Sequence, residues 1–153
     1  MSKIIKIIIA IAVFSIAMAF VEAAVVIYLR ALYYPSGFSV SPADLKIFPD
    51  NVLKIEFWRE IATIIMLADV AYLAFARRRG KLLGFLWAFS IWDLFYYLFL
   101  FLIIRWPESI STLDVYFLVP RPLIGPVWLP LVIFSITAVM SCALLIKIKI
   151  KNN

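Results

Sequence analysis

The chain contains no histidine. That removes the commonest metal ligand, the usual axial ligand of haem and the side chain that titrates nearest neutral pH. It has one cysteine, Cys142, so neither an intrachain disulfide nor a thiolate metal cluster can form. No phosphate-binding loop, no nucleophile–base pair and no metal-ligand spacing can be read from it. No catalytic residue and no cofactor is therefore expected. The two halves do not match in charge or proline pattern, so the inverted repeat of ordinary secondary transporters is missing as well.

What the chain has in excess is apolar surface. Of its 153 residues 66% are hydrophobic, and the mean hydropathy is +1.06. Soluble domains hold roughly 45–50%, and a fold of this size cannot bury the surplus. The length suits one domain, read here as a single integral membrane domain over residues 1–153. The net charge of +6 does not point to nucleic acid, because the basic residues flank apolar runs. Lipid headgroups are the simpler partner.

About 20 apolar residues are needed to cross the hydrocarbon core. Four stretches meet this approximately, at residues 4–29, 55–77, 82–104 and 127–146. The second is short as an apolar run; its helix is expected to start near Asp50 or Asn51, after Pro49, and to run to Arg79. The predicted fold is all-α, a four-helix transmembrane bundle running up-down-up-down. The basic turn Arg77-Arg78-Arg79-Gly80-Lys81 makes spans two and three antiparallel neighbours. Met1–Ala23 also has the layout of a signal peptide, but the apolar run continues to Leu29, which suits a full span better.

Charge sorts by side. The N-terminus, the second loop and the C-terminus carry Lys3, Lys6, Arg77, Arg78, Arg79, Lys81, Lys147, Lys149 and Lys151, with no acid. The other side carries six basic residues and six acids. The positive-inside rule then places the protein in the cell membrane with both termini cytoplasmic. On the outer side, Ser41-Pro42-Ala43-Asp44 has the pattern of a helix start, giving a short interfacial helix over Ala43–Phe48. Trp106-Pro107-Glu108-Ser109 is read as ending one helix and starting another. Pro120, Pro122 and Pro126 exclude a continuous helix beyond it, and Pro130 is expected to bend span four. Tyr33, Tyr34, Trp58, Trp106, Tyr116 and Trp128 fall where an aromatic belt belongs, with an outer amphiphile-binding surface as the alternative.

Three acids, Glu22, Asp69 and Asp93, remain inside the spans with no basic residue there to match them. Counted from Arg30, Glu60 and Arg105 at about 1.5 Å per residue, they lie roughly 12–18 Å below the outer interface, in one slab. An ionised carboxylate at the bilayer centre costs about 3 kcal/mol on insertion scales. The three are therefore expected to face one another. Asp93 shares its helical face with Ser90 and with Tyr96 or Tyr97, Asp69 with Met66 and Tyr72, and Glu22 with Ser15, Met18 and Val25. Ala17, Ala19, Ala23 and Ala24 permit close helix approach. Like charges in a dry site cannot all stay ionised, so one carboxyl holds a proton unless a cation enters. Two bland alternatives stand beside this: protonated acids serving only as interhelical hydrogen-bond donors, and Glu22 paired with Arg30 or Arg59 snorkelling inward. Glu56-Phe57-Trp58-Arg59-Glu60 reads as a self-paired helix end or as the outer mouth of a pathway, with Arg59 and Glu60 at its rim.

The chain resembles a family of small prokaryotic four-span integral membrane proteins. The resemblance lies in Glu22–Arg30 (EAAVVIYLR) with Tyr33-Tyr34-Pro35, in Trp92-Asp93 with Tyr96-Tyr97, and in Pro120-Arg121-Pro122 with Gly125-Pro126. It implies an integral membrane fold and supplies no activity. Three functions compete. The first is binding or conduction of a proton or cation by Glu22, Asp69 and Asp93, with Tyr72 and Tyr96 as hydrogen-bond partners and a homo-oligomer as one form of assembly. The second is an accessory or assembly subunit of a larger membrane complex. The third is a membrane enzyme using Glu60, Glu108 or Asp114 on a lipid-linked substrate; no metal can be assigned to any of them.

Overall fold

The computed structural model describes residues 2–35, 37–38, 49–117 and 123–150. Four helices account for most of them: α1 (Lys3–Tyr33), α2 (Asp50–Ala74), α3 (Arg78–Ile104) and α4 (Trp128–Ile150). Between α3 and α4 a hairpin joins β1 (Leu113–Phe117) to β2 (Leu123–Pro126). The fold is thus all-α apart from this small sheet. The expected helix at Ala43–Phe48 lies outside the described residues.

The helix α1 is apolar on every side, as a membrane-spanning or deeply buried helix is. Its packed face runs through Ile8, Ile11, Ser15, Ala19, Glu22 and Ala23, at spacings of three and four. Of its predicted small contacts, Ala19 and Ala23 are fully buried, Ala24 is half-buried and Ala17 faces outward. The helix α2 begins directly after Pro49, as expected, with Asp50 in its first turn where a carboxylate suits the helix dipole. It stops at Ala74, five residues before the predicted end, because Phe75 takes an extended conformation. The turn to α3 is therefore only Phe75-Ala76-Arg77.

That tight turn depends on glycine. The ring of Phe75 lies against Gly80 and Gly84, and a Cβ on Gly84 would come within 2.6 Å of it. The helix α3 then packs against all three other helices. Its Ala88 and Trp92 join Ile11, Ala19 and Leu67 in one core cluster; Tyr97 and Leu100 join Ala23, Trp106 and Val127 in a second. Arg105 ends α3 in the left-handed conformation (φ 56°), its amide bonded to the Phe101 carbonyl.

Where a further helix was expected after Trp106-Pro107-Glu108-Ser109, the chain turns at 108–111 and enters the hairpin. Leu113-Asp114-Val115-Tyr116-Phe117 alternates apolar and polar residues with β-branched and aromatic members, which favours a strand. A two-stranded ribbon is marginal by itself; this one is tied to its surroundings. Val127 and Trp128 amides bond the carbonyls of Thr112 and Ile110, and the Tyr116 hydroxyl donates to the Pro126 carbonyl at 2.6 Å. Pro130 falls in the first turn of α4, whose amides have no intrahelical partner, so it breaks no helical hydrogen bond.

Three helices, α1, α3 and α4, are long and apolar enough to cross a membrane; α2 falls short. Arg59, Glu60 and Asp69 interrupt its apolar run. Large apolar side chains face outward along the qualifying helices, among them Val13, Phe20, Leu102, Ile136 and Val139. So much outward apolar surface suits lipid rather than water.

A candidate cation-binding cavity

The last third of α1, the first half of α2, the latter half of α3 and strand β1 line a partly open cavity of about 170 Å³. Among the described residues five acids line it, Glu22, Glu56, Glu60, Asp93 and Asp114, with two arginines, Arg30 and Arg59. The rest of the wall is largely aromatic, including Tyr34, Phe38, Trp92, Tyr96, Tyr97 and Tyr116.

Arg59 is fully engaged and Arg30 in part, its Nη1 being buried without a hydrogen-bond partner among the described residues. Arg59 sits on α2 facing α1, where its Nη1 binds the Glu22 carboxylate, and its Nε and Nη2 each lie 2.8 Å from Glu56 Oε2. The hydroxyl of Thr63, one helical turn along α2, reaches the same Glu22 oxygen at 3.5 Å. Arg30, in the last turn of α1, lies 3.4 Å from Asp114 Oδ1. Its guanidinium is held between two rings, 3.8 Å from the centre of Trp106 and 4.3 Å from that of Phe38. The Tyr97 hydroxyl donates to the other Asp114 oxygen at 3.1 Å. Burial nevertheless dominates at Asp114, pushing its carboxyl up to about 6 against the opposing pull of Arg30 and Tyr97.

Asp93 differs from the other buried acids. It is 8% exposed, and its Oδ2 is buried without a hydrogen-bond partner among the described residues. Its neighbours on α3 are rings: Trp92 and Tyr96 are stacked at 6.4 Å, and Tyr96 meets Tyr97 edge-on at 5.1 Å. The hydroxyl of Ser90, on the same helix, is likewise buried without a partner.

The structure divides the residues anticipated from sequence. Glu22, Asp93, Tyr96, Arg59 and Glu60 all line the cavity. Asp69 and Tyr72 do not. Asp69 is exposed on the outer side of α2, and Tyr72 is 61% exposed with the Lys81 ammonium 3.4 Å from its ring centre. The expectation that three acids converge therefore fails at Asp69, because α2 turns Thr63, Leu67 and Ala71 inward instead. Nor is Glu22 without a counter-charge: Arg59 supplies it. Sequence reasoning did not anticipate Asp114, Arg30 and Tyr97 as partners. Residues 84 positions apart leave no local signal, although the strand-like alternation around Asp114 could have placed that side chain inward.

Among the described residues no three His, Cys, Asp or Glu side chains are grouped to hold a metal ion. No protein family, curated protein or solved structure matches the chain.

Proposed function

We propose that this is a four-span membrane protein, both termini cytoplasmic, that binds a proton or cation in the cavity at Asp93. The observation that carries the reading is the buried Asp93 Oδ2, without a hydrogen-bond partner among the described residues, in a wall where Arg59 holds Glu22 and Glu56 and Arg30 holds Asp114. Among the described residues that line the cavity, acids outnumber basic groups five to two. Burying a carboxylate without a partner is costly, and a proton or a cation removes that cost. Trp92, Tyr96 and Tyr97 line the same cavity. The third reading, an enzyme, has no nucleophile–base pair to support it.

The test is a cation panel on the purified protein in nanodiscs, read by tryptophan fluorescence, since Trp92 lines the cavity. Protons, sodium, potassium, magnesium and alkylammonium salts are titrated into wild type and Asp93→Asn. At least one cation should give a saturable response that the variant loses. If no cation distinguishes the two proteins, the reading is wrong.

One observation favours a second reading, an assembly subunit. Asp69 stands among outward apolar residues on α2: Ile65 at 53%, Met66 at 40% and Leu73 at 84% exposure. A carboxylate there is disfavoured against lipid and favoured against a partner helix presenting a lysine, arginine or hydroxyl at the same depth. Purification in mild detergent should retain such a partner with wild type and lose it with Asp69→Leu. A wild-type protein that purifies alone as a monomer counts against it.

A further inference from the structure

We propose that the ligand of this cavity is an organic ammonium, with its charged nitrogen at Asp93 and its carbon framework against the aromatic wall. The inference rests on the cation-binding reading and specifies the class of cation.

Size is the first reason. The cavity of about 170 Å³ exceeds the roughly 150 Å³ that accommodates a benzene molecule in an engineered apolar site. A bare metal ion or a proton would leave most of it to water. The second reason is the donor set. Hard divalent ions need several oxygen ligands converging on one point, and no group of three acids converges among the described residues. Glu22 and Glu56 are held by Arg59, and Asp114 by Arg30 and Tyr97. One carboxylate with rings around it fits an ammonium, which needs a single counter-charge and gains from ring faces.

The third reason is that the protein already binds a cation of this kind to itself. Arg30 places a guanidinium between Phe38 and Trp106, with Asp114 as its counter-charge. A carboxylate and aromatic residues recur in the cavity wall at Asp93 with Trp92, Tyr96 and Tyr97, where no described residue bonds the Asp93 Oδ2. The same pairing of a carboxylate with aromatic residues suits an external amine at Asp93.

The experiment uses the full chain in nanodiscs with benzylammonium as probe, and with tetramethylammonium, sodium, magnesium and neutral benzyl alcohol as comparisons. Benzylammonium should quench tryptophan fluorescence saturably and bind at least ~10-fold more tightly than sodium, with magnesium and benzyl alcohol failing to displace it. Asp93→Asn should weaken it by ~10-fold or more, about the loss of one charge-assisted contact. Tyr96→Leu, which removes a ring face, should cost ~3- to 10-fold, and Tyr96→Phe should keep most of the affinity. If sodium or magnesium competes on equal terms and Asp93→Asn still abolishes binding, the organic class is overturned and the cation-binding reading survives. If benzyl alcohol displaces benzylammonium, or Asp93→Asn binds it unchanged, both fall. Should Tyr96→Leu not fold, the benzylammonium-to-sodium ratio in the wild-type protein decides alone.

Discussion

Asp114 offers a test in which two physical effects predict opposite signs. An aspartate beside an arginine ordinarily ionises more easily, and stability then rises with pH as the ion pair forms. Here burial outweighs the pair. The Asp114 side chain is 3% exposed, Arg30 reaches it only at 3.4 Å, and the arginine charge is shared with two aromatic rings. The carboxyl is raised from 3.8 to about 6. The folded protein therefore holds a proton there between about pH 4 and pH 6 that the unfolded chain has released. Stability falls as pH rises through that window, is unaffected by this group below it, and stays lowered above it. The difference corresponds to about 3 kcal/mol. Reversible unfolding in mixed micelles from pH 3 to pH 8, for wild type and Asp114→Asn, isolates the contribution. The stability of wild type relative to the variant should fall by about 3 kcal/mol across the window and be level on either side. A relative stability that climbs with pH would show that Arg30 controls Asp114 and that burial does not, and the reasoning would be refuted.

Two further outcomes follow from the packing. Gly84→Ala would gain about 1 kcal/mol of helix propensity in open space, but its Cβ lies 2.6 and 2.8 Å from Phe75 ring atoms. Overpacking of this kind costs about 1–3 kcal/mol, so net destabilisation is expected, and Phe75→Leu in the same chain should relieve most of it in a double-mutant unfolding cycle. Arg59→Met leaves Glu22 and Glu56 buried without their counter-charge. It should destabilise by roughly 3 kcal/mol, the lower end for removing one partner of a buried pair, since the Arg59 side chain is 23% exposed. Adding Glu22→Gln should restore part of the loss; a double variant no more stable than Arg59→Met alone would place the cost elsewhere.

The helices were legible because long apolar runs and Pro49 leave few choices. The start of α2 at Asp50 followed from a fixed φ and a missing amide. Its end did not, because Phe75-Ala76-Arg77 contains no breaker; what stops the helix is the fit of Phe75 against Gly80 and Gly84, a tertiary effect. The hairpin was obscured by its prolines, which exclude helix without announcing the strands beside them. At the site, depth could be counted along each span, and Glu22 and Asp93 do line one cavity. Rotation about the helix axis could not be counted for Asp69. Its companions Met66 and Tyr72 are apolar enough for either face, and only the inward packing of Leu67 and Ala71 settles the matter.

That rotation changes what the acids mean. Equal depth suggested three equivalent carboxyls sharing one charge problem. The structure instead leaves Asp69 outside the cavity and gives the acids within it different neutralisers: Arg59 for Glu22, Arg30 and a tyrosine hydroxyl for Asp114, and for Asp93 none among the described residues. A group whose charge is already balanced inside the protein gains little from an arriving cation, because the incoming charge must compete with a guanidinium that loses no translational freedom. Among the described residues Asp93 meets no such competitor. On the proposed reading, the selectivity of the cavity follows less from how many acids line it than from which one the arginines leave unpaired. Moving an arginine within reach of Asp93 should close the site more completely than removing any of the other four carboxyls.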